Sequence, residues 1–542
     1  MNPRIPYRGP GAWRRRDSCG TSLFGVSLAL LLLAGLVLLG LRMRTTGFDI
    51  VSAIGSFLPT TAPSKLSTAV PAPPPSPIAT LATVEPYETT PTSTATPEPP
   101  TPTPTKILTP GIAQFYYTQS GDTLAALAAR FGVNPADLRA PEALRGSTSL
   151  EKGQLIIIPQ VLGDDLSPGY RILPDSELIF GGGAAGFDPA QVAAQYGGYL
   201  AGYRGFAENI TRSGGDVILL TAQNHSINPR LLTALLEYQS GWVTNSDPQG
   251  DALTAPLGYV HQYRRELMPQ LDWATSMLAV GYYGWRAGTL TTLTFPDGST
   301  LRLNPTLNAG TVALQYFFAQ VLNRPAWDNA VSMDGFAATY NKLFGDPFLH
   351  AVDPLVPPNL SQPPLALPFA PGHTWSFTGG PHGAWEHGGA RAALDFAPSS
   401  SVSGCVSSLE WVTAVAAGQI VRTGQGTVLL DLDGDGREST GWVILYLHIA
   451  DQDKVQVGAY VEKGDRIGHP SCEGGTATGT HVHIARKYNG EWIPADGLAP
   501  FVLGGWTAQP GLQEYAGTLV RGDEVVTACT CSSAFTLVTA EP

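Results

Sequence analysis

The run Cys472-Glu-Gly-Gly-Thr-Ala-Thr-Gly-Thr-His-Val-His483 decides how the C-terminal third of the chain is read. In a β-strand, side chains at i and i+2 point to the same face. His481 and His483 can therefore reach into one cleft while Val482 packs behind them. Seven of the ten histidines fall between His373 and His483, so further partners for the pair are near in sequence.

Outward from this pair, short β-prone runs alternate with Gly-rich turns from about Pro363: Glu410–Val421, Thr427–Leu432, Trp442–Ile449 and His481–Tyr488. This spacing predicts an antiparallel all-β domain over 365–505. Two more signals lie on it. Gly379-Gly-Pro-His382 is followed, after a Gly-rich loop, by Ala393-Leu-Asp395-Phe-Ala-Pro398; Tyr446-Leu-His448 stands at a strand end. A catalytic zinc needs three protein ligands and an open position for water, whose pKa it lowers to about 7. His382, Asp395 and one histidine of the pair can supply the ligands. The other histidine and His448 can move a proton or stabilise an oxyanion.

These residues resemble the lysostaphin-type zinc endopeptidases, above all the staphylolysin (LasA-type) branch. Most of the wider family places His and Asp four apart; here, as in that branch, the loop is longer and 13 positions separate His382 from Asp395. The Cys-Glu-Gly-Gly lead-in and Tyr488-Asn-Gly490 also look like the branch. The resemblance implies that His382, Asp395 and His483 bind Zn2+, that His448 and His481 are the catalytic histidines, and that the substrates are peptide cross-links of peptidoglycan. His387 is the rival ligand, since it too precedes Asp395, but the Gly-Gly-Pro-His context favours His382. A relative that has lost zinc would lack ligands, and all five positions are filled here.

Composition fits such a setting. Charged residues are 14% of the chain, with 61 glycines and 46 prolines, as in β-rich or linker-rich secreted proteins. Net charge is −12 and the basic residues form no stripe beyond the N-terminal segment, which disfavours nucleic acid as a partner. Of the cysteines, Cys405, Cys472, Cys529 and Cys531 lie in the C-terminal part, and Cys19 near the N-terminus. Four cysteines allow three pairings; disulfides are expected, with Cys405–Cys472 the favoured pair.

Residues 1–20 carry Arg4, Arg8, Arg14, Arg15 and Arg16, and Thr21 to Leu41 is free of charge and long enough to span a bilayer. The positive excess before the span predicts a cytoplasmic basic segment (1–20), a transmembrane signal anchor (21–41) and an extracytoplasmic remainder of a single-pass protein at the cell membrane; a cleaved signal peptide is the alternative. Between 59 and 110 stand 15 prolines among Thr, Ser and Ala. This is a Pro/Thr-rich linker (45–111) that cannot bury enough apolar surface to fold. Fifty such residues in polyproline II would reach roughly 150 Å.

Residues 112–160 predict a strand, two short helices and a closing strand, with a turn at Gly121-Asp122. Tyr117, Ser120-Gly-Asp-Thr-Leu124, Ala129-Arg-Phe-Gly-Val133 and Gly153…Ile158-Pro159 resemble the LysM module, a β-α-α-β glycan binder. That resemblance implies binding to N-acetylglucosamine polymers such as peptidoglycan glycan.

Residues 166–350 read as mostly helical. Asp188 caps a helix expected to run to about Tyr203, and Asn228-Pro229 opens a second through Trp242. Leu-rich Arg230–Trp242 followed by Phe336-Ala-Ala-Thr-Tyr-Asn341 resembles the lysozyme-like fold of lytic transglycosylases. The residue directly before Ser240, where that family has its catalytic glutamate, is Gln239. An amide does not protonate a glycosidic oxygen as a carboxylic acid does, so an inactive domain is expected; Glu237 is the alternative acid. His225, His261 and His350 read as surface or packing residues. Asp431-Leu-Asp-Gly-Asp-Gly436 resembles the start of a calcium loop, but position twelve would be Trp442 rather than Glu, which favours a charged hairpin tip. Residues 506–542 form a C-terminal tail with no assigned role.

The expectation is thus a multidomain chain: transmembrane helix, LysM module, mostly α lysozyme-like domain, and antiparallel all-β zinc peptidase domain. The implied function is a membrane-tethered, wall-held zinc endopeptidase of peptidoglycan. The alternatives are a non-enzymatic wall-binding protein that positions or activates other hydrolases, and glycan cleavage by the helical domain.

Overall fold

Strand β1 (Gln114–Tyr117) turns Tyr116 inward and pairs antiparallel with β2 (Leu155–Ile158) in the computed structural model, with Tyr116 opposite Ile156. The structure describes residues 113–541 apart from 147–148, 160–161, 164, 386–387, 401–402, 498 and 532. The basic segment 1–20, the expected span 21–41, the linker 45–111 and His387 lie outside the described residues. Among the described residues, no helix is long and apolar enough to cross a membrane.

Between β1 and β2 lies α1 (Leu124–Phe131). The Thr123 side chain accepts from Ala126 N at its start, and Gly132 ends it at φ +68°. The second helix expected over 134–140 is one 3-10 turn, Pro135–Asp137. Leu138 leaves the helical region and Arg139 bridges to Ile157, so the backbone there bonds to the sheet instead. Arg130 ties this module to the next domain: its guanidinium pairs with Asp122 at 2.6 Å and donates to the Trp285 carbonyl at 2.8 and 3.2 Å.

The helical domain contains α2 (Asp175–Leu178), α3 (Pro189–Tyr196), α4 (Tyr199–Gly202), α5 (Gly214–His225), α6 (Pro229–Ser240), α7 (Asp251–Thr254), α8 (Leu267–Ala287), α9 (Ala309–Val321), α10 (Arg324–Ala330) and α11 (Phe336–Phe344). Asp188 caps α3 as expected, but the chain breaks at left-handed Gly197 before restarting at Tyr199. Asn228 and Pro229 open α6, which stops at Gly241. Two hairpins interrupt the helices: β3 (Arg204–Ala207) with β4 (Ile210–Ser213), and β5 (Thr292–Thr294) with β6 (Thr300–Arg302).

The C-terminal domain is antiparallel, as its spacing predicts. Its nine-stranded sheet contains β7 (Thr374–His382), β8 (Ala393–Pro398), β10 (Gly418–Gly424), β11 (Thr427–Asp431), β12 (Trp442–Leu447), β13 (Tyr460–Val461), β15 (Val482–Tyr488), β16 (Glu491–Trp492) and β21 (Leu537–Thr539). The order is β13-β10-β11-β12-β15-β8-β7-β21, with β16 beside β15. The pair β9 (Val412–Thr413) and β14 (Arg466–Gly468) stands apart, and β17 (Val502–Leu503), β18 (Trp506–Pro510), β19 (Gly517–Arg521) and β20 (Glu524–Thr527) form a four-stranded sheet. Residues 506–542 thus fold onto this domain, with Trp506, Leu519 and Val538 in its core. Disulfides join Cys405 to Cys472, the favoured pair, and Cys529 to Cys531.

The two faces of the large sheet have different neighbours, and strand alternation decides which. Val428, Leu430, Ile444, Tyr446, Val482 and Ile484 face the domain's own core. Leu429, Val443, Leu445, Ala485 and Trp492 face the other way, into a core shared with the helical domain. Polar contacts cross this junction. Ser226 Oγ donates to Gly490 O at 2.7 Å, Tyr282 OH to Glu491 Oε2 at 3.0 Å, and Arg422 Nη1 to Asn224 Oδ1 at 2.8 Å. Beneath it, buried Glu438 pairs with Arg422 at 2.9 Å and Lys487 at 3.1 Å.

Candidate metal centre

His483 follows Val482 on β15, so it faces opposite to the domain's core, on the side the helical domain covers further along. Sheet register sets Asp395 of β8 directly across from it. β7 reaches the same place from the other side: Gly379 pairs with Asp395, and two register shifts carry His382 to the end of the strand. The glycines of Gly379-Gly380 are sterically required. A Cβ on Gly379 would lie 2.3 Å from Asp395 Oδ2, and one on Gly380 would lie 2.7 Å from the Ala516 backbone.

His382, Asp395 and His483 converge, each offering one ligand atom, with these atoms within 4.8 Å of one another. His382 Nε2 lies 3.3 Å from Asp395 Oδ1 and 3.0 Å from His483 Nδ1, and His483 Nδ1 lies 3.2 Å from Asp395 Oδ1. The opposite ring nitrogens are engaged by backbone carbonyls: His382 Nδ1 by Gly380 O at 2.8 Å, His483 Nε2 by Ala384 O at 2.9 Å. Such partners fix the tautomer and turn the remaining lone pair inward. Asp395 Oδ1 is buried without a hydrogen-bond partner. A trio of two imidazoles and a carboxylate suits zinc, and an orphaned buried carboxylate oxygen is what a cation there would satisfy.

The other two expected residues stand beside the trio. His481 Nε2 is 3.8 Å from Asp395 Oδ1, and its Nδ1 faces Gly479 O at 2.8 Å. His448 follows β12, is held at φ +65°, and turns Nδ1 to Glu473 O at 2.8 Å. Their rings are 4.5 Å apart. All five residues named from sequence are therefore neighbours.

Burial and neighbouring charges set the electrostatics of these groups. Burial opposes the charge on Asp395, but His382 and His481 hold its carboxyl well below the usual carboxylate range. Burial disfavours a cationic His382, yet Asp395 outweighs it and raises that pKa. Burial lowers His483. Burial, then His481 and His483, push His448 down to about 3.

Tyr515 was not foreseen. Its ring stacks on His382 with centroids 4.1 Å apart, and burial together with Asp395 and Glu514 raises its phenol. It arrives from a loop without a motif, so only the fold places it. Glu237, the alternative acid of the helical domain, is committed elsewhere: its carboxylate accepts from Val243 N at 3.0 Å, Thr244 N at 3.1 Å and Thr244 Oγ1 at 2.6 Å. Asp431, Asp433 and Asp435 gather at a hairpin tip, where Asp431 accepts the backbone N–H groups of Asp433, Gly434 and Gly436.

Comparison with known proteins follows these three parts. Residues 116–159 match the LysM domain, 171–358 the N-terminal domain of LasA, and 405–494 peptidase family M23. The last stretch includes His448, His481 and His483 but begins after His382 and Asp395. For the helical region the match is thus to LasA, and a lysozyme-like relationship is not shown. Protease LasA of Pseudomonas aeruginosa (strain UCBPP-PA14) is 26% identical over 367 residues, covering 63% of this chain and 79% of that protein. Similar solved structures include the M23 metalloprotease pseudoalterin from the deep sea (23% identical, 30% of this chain, 94% of that one, TM-score 0.26). The catalytic domain of lysostaphin from Staphylococcus simulans is 25% identical, over 23% of this chain and 89% of that one, with TM-score 0.17. Along the chain, in order, stand matches to the LysM domain, to the N-terminal domain of LasA and to peptidase family M23.

Proposed function

We propose that this chain is a zinc-dependent endopeptidase that hydrolyses peptide cross-links of bacterial peptidoglycan. The observation that carries the reading is the inward-facing trio of His382 Nε2, Asp395 Oδ1 and His483 Nδ1 around an unsatisfied carboxylate oxygen. These three residues would hold Zn2+, which supplies Lewis acidity to polarise the scissile carbonyl and acidify a water.

The remaining steps belong to side chains of this protein. With Nδ1 engaged by Glu473 O, His448 has Nε2 as the ring nitrogen left to accept a proton. His481 is oriented the same way by Gly479 O. One takes a proton from the attacking water; the other stabilises the developing oxyanion or returns a proton to the leaving amine. The LysM module would hold the enzyme on glycan. The N-terminal apolar run would anchor it in the cell membrane, with the bulk of the chain extracytoplasmic.

The test is incubation of the full chain with purified peptidoglycan, with and without a chelator. New peptide amino termini that vanish with chelator and return with zinc support the proposal. Binding without peptide release would favour a non-enzymatic wall-binding protein, and anhydro-sugar ends would assign cleavage to the helical domain.

A further inference from the structure

Residues 383–385 and 388–392, between two proposed metal ligands, lean on the helical domain. Ala384, Ala390 and Ala392 are buried in the core shared with the helices, and Trp385 packs against that core. The Trp385 ring lies 6.1 Å from the ring of His225, at the end of α5. His225 is itself fixed, with Nε2 3.4 Å from Asp272 Oδ1 and its carbonyl accepting from Trp492 Nε1 at 3.3 Å. Further along the loop, a Cβ on Gly388 would lie 2.8 Å from Val280 Cγ2 of α8. Within the loop, Ala384 N donates to Ala390 O at 3.2 Å.

Ala384 O is the group that faces His483 Nε2 at 2.9 Å. A partner on the second ring nitrogen sets a ligand's tautomer and angle, and its loss typically costs about 10–100-fold in metal affinity. The path from helix to ligand is therefore short: Trp385 packs against the shared core beside His225 of α5, and its chain neighbour Ala384 faces His483 Nε2.

We infer that the helical domain is a positioning element of the metal site, acting through Trp385 on the Ala384 carbonyl and so on His483 Nδ1. This rests on the zinc reading above. It assigns the domain a role beyond linking the LysM module to the peptidase.

The experiment uses the full chain, loaded with zinc against a chromophoric competitor chelator. Trp385→Ala is expected to raise the zinc dissociation constant about 10–100-fold, while Trp385→Phe, which keeps a ring on the shared core, stays within about threefold of wild type. Equal affinity for wild type and Trp385→Ala overturns the inference. So does a loss that Phe does not rescue while the metal-free unfolding midpoint falls in parallel, since that is general destabilisation. If Trp385→Ala does not fold, Val280→Ala decides: it loosens the loop from α8, and about 3–10-fold weaker binding is expected, unchanged binding overturning the inference. A wild-type chain that binds no zinc defeats the metal reading itself, and the positioning role falls with it.

Discussion

Replacing His382 by alanine removes one of the three proposed ligand atoms, which lie within 4.8 Å of one another. Structural zinc sites with four ligands are worth about 10–16 kcal/mol, or roughly 3–4 kcal/mol per ligand. Losing one should therefore weaken zinc binding on the order of 100–1,000-fold. The same substitution acts on the metal-free protein. Asp395 Oδ1 sits 3.3 Å from His382 Nε2, and His382 helps to hold that carboxyl well below the usual carboxylate range. Stranding a buried charge typically costs about 3–5 kcal/mol. Metal-free His382→Ala should thus unfold at lower urea, and adding Asp395→Asn should restore part of the loss. Competition titration reads the affinity and urea denaturation the stability. His387→Ala, run in parallel, should bind zinc as wild type does. If His382→Ala keeps wild-type affinity while His387→Ala loses it, the ligand assignment is wrong.

Further outcomes separate the other residues. His448→Ala and His481→Ala should each retain zinc but lose about 10²–10⁴-fold in peptide release from peptidoglycan; loss of bound metal in either would move that residue into the ligand set. His448 also predicts a pH dependence. Its pKa is depressed in the fold to about 3, so the unfolded chain takes up its proton first as pH falls from about 6.5. Metal-free stability should therefore decline from that pH toward about 3, and the wild-type slope should be steeper than that of His448→Gln. Glu438→Ala leaves buried Lys487 and Arg422 without their carboxylate, and urea denaturation should report a loss of about 3–5 kcal/mol. Glu237→Ala removes three hydrogen bonds from the turn after α6. It should lower the thermal midpoint while peptidoglycan digests keep the same fragment masses; fragments that disappear would give Glu237 a chemical role.

Local signals carried most of the site. His481 and His483 share a two-residue period, and Gly379-Gly380 marks a place where Asp395 and the 516–517 segment come close. These are properties of short stretches, and they survive being read one residue at a time. Tyr515 carries no such signal, because its place beside His382 depends on how β18 and β19 turn over the sheet. The helical domain was legible in its caps, Asp188 and Asn228, but not in its breaks or hairpins. Its docking was hidden for a different reason. Leu429, Val443 and Leu445 alternate with core residues as in a sheet buried on both faces, and a sequence does not say what covers the second face.

The second face also bears on how the protein is handled. The boundary near residue 365 suggests that the catalytic part can be excised there. A fragment cut at that point would leave Leu429, Val443, Leu445 and Trp492 uncovered as one apolar strip, with Lys487 and Glu491 robbed of polar neighbours from the helices. A strip of that kind invites self-association. Poor solubility of the excised fragment would then reflect a severed core rather than a defective enzyme.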